Sequence, residues 1–154
     1  MPTLRHAAPT VTTILTTAIN GTTNTTFYTT GATLINNATD RVLQAQLELI
    51  LSAATGNLAS AGLLRTDFWL IPALDGTNPA TPPGTSAVQP PADYWVGRVL
   101  AVNGVTFTRG FTMPFDLLPG AYAIVGQNNL GATNGSYPAT GNAVKLYTYN
   151  YESV

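Results

Sequence analysis

The chain has no cysteine, one histidine, and charge on only 8% of its 154 residues. A soluble globular domain ordinarily carries charge on about a quarter of its residues. Without cysteine there is no disulfide, no thiolate nucleophile and no cysteine-ligated metal. A Ser-His-Asp arrangement would have to use His6, which reads as an exposed tail residue near the N-terminus. The acids Asp40, Glu48, Asp67, Asp75, Asp93, Asp116 and Glu152 are dispersed, so no paired carboxylates of the glycosidase kind stand out. The cations are equally scattered, at Arg5, Arg41, Arg65, Arg98, Arg109 and Lys145. A nucleic-acid binder clusters its basic residues, so no nucleic-acid partner is expected. Apolar runs fall far short of the roughly 18 residues that suggest a membrane span. Met1–Thr10 lacks the apolar stretch of a signal peptide, so neither export nor a membrane partner is expected. No catalytic residue, cofactor or metal site is expected.

What the chain has instead is 25 threonines, 14 glycines and 11 prolines, with a net charge of −1. Threonine favours extended backbone, and glycine and proline punctuate it with turns. A net charge near zero gives little mutual repulsion between copies, which favours association. At this length one domain is expected, large enough to fold without a disulfide or metal.

The clearest strand is Val42–Ser52. Leu43, Ala45, Leu47, Leu49 and Leu51 share one face, and Gln44, Gln46 and Glu48 the other, with Ile50 an exception. Strict alternation favours a strand although Leu, Gln, Ala and Glu are good helix formers. On that polar face Glu48 reads as solvated or paired across strands. Asp67–Ala73 is apolar on both faces, as expected of a central or doubly covered strand. Tyr94–Val102 and Val105–Arg109 flank Asn103-Gly104, the signature of a tight hairpin, so these two strands are expected to pair. Gly110 is placed at a bulge, and Leu117–Gly120 at a type II turn. Ala121–Gln127 and Asn142–Glu152 complete the set. Trp69 and Trp95 both fall inside strands and read as core.

Residues 74–93 and 128–141 read as long loops, the first with five prolines in it. Asp75-Gly76-Thr77-Asn78 is a turn, not a calcium loop, because the spaced acids and closing glutamate are missing. Asn20, Asn24, Asn37 and Asn134 start N-x-Ser/Thr sequons that so many threonines produce by chance. Residues 1–30 are expected to be a threonine-rich N-terminal arm or an edge strand, and 31–154 the folded domain. Residues 1–10 are expected to order only against a neighbouring subunit. The whole reads as an all-β, single-domain antiparallel β-sandwich, jelly-roll-like, with seven to nine strands and helix content near zero.

Tyr147, Tyr149 and Tyr151 fall on one face of the last strand. They form either a strip for sugars or a protein partner, or a face packed on neighbouring strands. With Phe27 and Tyr28 they are the residues expected to touch a partner.

Four stretches resemble small virion structural proteins of tailed bacteriophages, of the head decoration (cement) kind. The first is Asn37-Ala38-Thr39-Asp40-Arg41 leading into Leu47-Glu48-Leu49, and the second runs from Asp67 to Thr77 (DFWLIPALDGT). The third is Leu118-Pro119-Gly120-Ala121-Tyr122 with Asn128-Asn129-Leu130-Gly131. The last is Pro138 to Lys145 (PATGNAVK) followed by Tyr147-Thr148-Tyr149. Together they cover about residues 20–154, and the threonine-rich start matches least. The resemblance implies a β-sandwich or jelly-roll-like fold on the capsid exterior, without enzymatic activity. It carries over no site residues.

The first expectation is therefore a non-enzymatic capsid decoration protein, assembled in the host bacterial cytoplasm. Its partners would be the major capsid protein lattice and further copies of itself, as a homo-oligomer such as a trimer. The alternative is a carbohydrate- or receptor-binding module of a phage tail or spike, recognising its target through the two long loops. A third reading is a glycan-active enzyme using Glu48.

Overall fold

The computed structural model describes residues 4–30, 34–38, 42–55, 64–79, 89–101, 107–130 and 136–153. These form strands β1 (Leu4–His6), β2 (Thr10–Leu15), β3 (Phe27–Thr29), β4 (Ile35–Asn36), β5 (Gln44–Thr55) and β6 (Leu64–Ala73). They continue as β7 (Trp95–Ala101), β8 (Phe107–Phe111), β9 (Phe115–Asp116), β10 (Ala121–Asn129), β11 (Ala143–Tyr149) and β12 (Tyr151–Ser153). The only helical segments among the described residues are single 3-10 turns at Thr17–Ile19 and Ala92–Tyr94.

Two antiparallel sheets face each other, one ordered β2-β11-β5-β8 and the other β3-β10-β6-β7. Taken in chain order, these eight strands pair first with last, second with seventh, third with sixth and fourth with fifth. Contacts of β11 with β5 and of β10 with β6 complete each sheet. That is the connectivity of a jelly roll. The remaining strands extend this plan. β4 continues the β3 edge along β10, β9 continues the β8 edge along β5, and β1 pairs with β12 as a separate ribbon. The twelve strands among the described residues exceed the expected seven to nine because edges are broken into pieces of two or three residues.

The alternation in β5 places Ala45, Leu47, Leu49 and Leu51 in the core, opposite Phe68, Leu70, Tyr122 and Ile124 of the facing sheet. Burial of this face overrides the helix preference of its residues. β6 is central and buried on both sides, as its composition implies. Phe68 and Leu70 face the main core. Trp69 and Ile71 join Phe27, Ala123 and Val125 in a second cluster on the outer face, flanked by Leu34 and Tyr94. Pro72 sits past the end of the β7 ladder, which stops at Trp69. There its missing N–H breaks no bond to β7.

Several expectations need correction. β8 does not pair back on β7 but on β5, so the chain crosses from one sheet to the other. The Asn103-Gly104 turn itself lies outside the described residues. Gly110 stays in register opposite Leu49, and the irregularity falls between Ile50 and Thr55. Gly120 has φ +149°, well away from the value near +80° that a type II turn requires. Trp95 is 42% exposed, not core. A bulge between Phe68/Gly97 and Trp69/Trp95 supplies the extra residue that turns it outward. Leu4–His6 pairs with Tyr151–Ser153 of its own chain, and the Ala7 N–H donates to the Asn150 carbonyl at 2.9 Å. These residues thus have pairing partners within their own chain. Thr10–Leu15 is an edge strand of the first sheet.

Candidate functional site

Surface chemistry concentrates on the outer face of the β2-β11-β5-β8 sheet. Period-two alternation brings Val11, Lys145, Tyr147, Tyr149, Gln46, Glu48 and Phe111 to this face, because their neighbours in each strand fill the core. Glu48 is at its centre, opposite Lys145 on one side and Phe111 on the other. It is fully buried although it belongs to the polar face. Of its two expected readings, solvated or paired across strands, the structure supports the second. Arg109 donates from Nε to Oε1, and the Tyr147 hydroxyl donates to Oε2 at 2.7 Å. The carboxylate beside them raises the pKa of both the Arg109 guanidinium and the Tyr147 phenol.

The same arrangement locks the aromatic groups above it. Phe111 meets Tyr147 edge to face, with ring centroids 5.9 Å apart, and the Arg109 guanidinium lies 5.6 Å over the Phe111 ring. One row further along, the Tyr149 hydroxyl donates to Gln46 Oε1 at 3.1 Å, while Gln46 Nε2 donates to the Thr112 carbonyl at 2.7 Å. The aromatics are fixed from beneath yet reach solvent. Phe111 is 45% exposed, Val11 47% and Met113, just beyond β8, 78%. Aromatic residues, Met and Arg on a rigid sheet are the composition enriched at protein contact surfaces.

Of the residues expected to meet a partner, Tyr147 and Tyr149 therefore share one surface. Tyr151 belongs to β12, and its side chain lies outside the described residues. Phe27 and Tyr28 are interior. Phe27 packs on Trp69 in the outer-face cluster, with ring centroids 5.9 Å apart. Tyr28 points into the core between Phe68 and Tyr137. Strand alternation sends these neighbours to opposite faces of β3, and both faces are covered. The described residues contain no group of three His, Cys, Asp or Glu able to hold a metal ion.

A second cluster, which the sequence did not reveal, centres on Asp67 of β6. Its carboxylate accepts from Arg65 Nε at 2.6 Å, Asn129 Nδ2 at 3.1 Å and Trp95 Nε1 at 3.4 Å, and Arg98 Nε stands 3.6 Å away. The Arg98 guanidinium lies 5.1 Å over the Trp95 ring. Arg65 is two residues from Asp67 on the same strand. Trp95, Arg98 and Asn129 are distant in sequence, but Arg98 is the direct cross-strand partner of Asp67, and Asn129 that of Arg65. Only the pairing register brings the residues of β7 and β10 to Asp67.

Two of the described asparagines, Asn37 and Asn142, are structural. Asn37 is buried. Its Nδ2 donates to the carbonyls of Val42, Leu117 and Leu118 at 3.0–3.1 Å, and its Oδ1 accepts from the Val42 N–H at 2.8 Å. Asn142 ties Asn20, Pro138 and Ser52 together in the same way. An Asn37 held by four bonds is not open to glycosylation, so its sequon is a coincidence of composition. Asp75 accepts from the N–H groups of Thr77 and Asn78 at 2.8 and 2.6 Å and from Asn78 Nδ2 at 2.7 Å. These bonds, those from Asn78 foremost, pull its pKa down to about 2. Its carboxylate serves the turn, as the sequence implies. A cleft of about 270 Å³ opens between β2 and β4, lined by Thr10, Thr12, Ile14, Thr30, Ile35 and Leu146 among others. None of its described lining residues is ionisable at neutral pH. The sequence matches no protein-family model and no curated protein.

Proposed function

We propose that the chain is a non-enzymatic structural protein of a bacteriophage virion, coating the capsid exterior and stabilising the head. The observation that carries this reading is the rigid, exposed aromatic face of the β2-β11-β5-β8 sheet. Tyr147, Tyr149, Phe111, Val11 and Met113 present apolar area there without a covering element among the described residues. A face of this kind suits association with further copies, as a homo-oligomer such as a trimer, and with the major capsid protein lattice. The sequence stretches that resemble decoration proteins and the net charge of −1 support the same reading.

Contact through such a face draws mainly on apolar burial, at about 25 cal/mol per Å² before the costs of association. Surface ion pairs contribute only about 0–1 kcal/mol and weaken with salt. The protein should therefore stay on purified virions through washes in concentrated salt and leave in mild denaturant. Heads assembled without it should still form but break at a lower temperature, because it binds lattice that already exists. Release by salt alone, or heads of unchanged thermal stability, would contradict the proposal.

A further inference from the structure

The Asp67 cluster lies on the opposite sheet, away from the aromatic face, and does not depend on where the protein sits in a virion. Two cations, Arg65 and Arg98, share one carboxylate, so the cluster carries a local charge of +1 (two minus one) on a chain whose net charge is −1. The Asp67 side chain is buried, while those of Arg65 and Arg98 are 39% and 42% exposed. Each guanidinium meets Asp67 through Nε. A guanidinium has five N–H donors, and the four on the two Nη atoms have no acceptor among the described residues. Asp67 thus anchors the base of both forks and leaves their ends outward.

Three further features surround these forks. Trp95 is partly exposed, its indole held by Asp67 at one end and capped by Arg98. Asn129 donates from Nδ2 to Asp67 and to Gln127 Oε1, at 3.1 and 3.0 Å, which fixes its orientation. Its Oδ1 has no donor among the described residues and remains available to accept. All of these groups stand on β10, β6 and β7, neighbouring strands of a rigid sheet.

We propose that Arg65, Arg98, Trp95 and Asn129 form a binding site for a carboxylated sugar, such as a uronic acid unit of an acidic polysaccharide. A guanidinium fork matches a carboxylate in geometry and charge. An indole offers an apolar plane to the C–H face of a sugar ring, and an oriented amide oxygen accepts from a ring hydroxyl. A neutral sugar uses only the indole and the amide. An inorganic anion uses only the guanidinium groups. The residue set is complete only for a ligand with both parts. The face is open, so affinity per copy is weak.

The test is a titration of the whole protein with trigalacturonate, maltotriose and inorganic phosphate, followed by calorimetry and by the two tryptophan indole N–H signals in a nitrogen–proton spectrum. Trigalacturonate should shift the Trp95 indole signal and leave that of buried Trp69 in place. It should bind at least about tenfold more tightly than maltotriose. Arg98→Met, which keeps the apolar stem, should weaken it by about tenfold or more with little change in Tm. Arg65→Met should do the same, so the test survives if one variant folds poorly. No shift at Trp95, equal affinity for maltotriose, equal affinity for phosphate, or unaltered binding by both variants would each overturn the proposal.

Discussion

Tyr147 on β11 donates its hydroxyl to Oε2 of Glu48 on β5 across 2.7 Å, one step diagonal to the direct Glu48–Lys145 pair. The bond links a fully buried carboxylate to an aromatic ring at the surface. It explains how a sheet face keeps its aromatic groups in fixed positions while they remain in contact with solvent.

Glu48→Gln should therefore loosen this face. The amide has nearly the same shape but cannot accept at both ends from Arg109 and Tyr147. Losing charge-assisted bonds from a buried acceptor should lower Tm by roughly 3–8 °C in a domain of this size. Calorimetry of the variant checks this. An unchanged Tm would mean that other contacts hold the face.

Gly126 supports the interior in a different way. A Cβ at this position would come within 2.3 Å of Tyr28 Cζ, because the ring lies against the glycine of the adjacent strand. On its other sides the Tyr28 ring packs against Phe68 and Tyr137. Gly126→Ala should cost about 1–3 kcal/mol through overpacking, measurable by urea unfolding. A variant as stable as the parent would show that the ring can move.

The buried phenols predict an alkaline limit to stability. Burial raises the pKa of both Tyr28 and Tyr137 above the ordinary value of 10. Below pH 10 these groups are neutral in the folded and the unfolded chain, and their contribution is complete. Above it the unfolded chain ionises first, so stability falls as pH rises, until the folded-state values are reached. Absorbance at 295 nm should show two of the seven tyrosines silent until the β spectrum collapses. Seven phenols ionising together near pH 10, with the fold intact, would contradict this.

The sequence was most legible where one face is buried. Leu47 and Leu49 of β5, and Val144 and Leu146 of β11, alternate with polar or exposed neighbours because the sheet has an inside and an outside. The double burial of β6 was legible for the opposite reason, since Phe68 to Ile71 are apolar without a break. What local pattern could not supply was partnership. Asn103-Gly104 signals a reversal of direction, but a reversal within one sheet and a crossing between two look alike in sequence. Trp95 was misplaced because the extra residue Val96, between Trp95 and Gly97, shifts strand parity by one. Glu48 could be placed on the outer face, but not its burial, which depends on Arg109 and Tyr147 from two other strands. The Asp67 cluster was invisible for the same reason. Arg65 shares the strand and face of Asp67, but Trp95, Arg98 and Asn129 come from two other strands and reach it only through register.

The most direct test of the structural-protein reading is a density map of the purified virion at a resolution that resolves strands. The account predicts many copies of the jelly roll on the outside of the head. The β2-β11-β5-β8 face, with Tyr147 and Phe111, should be buried against the capsid lattice or against a neighbouring copy. Heads bare of this density, a few copies confined to the tail, or the aromatic face left open to solvent would contradict it.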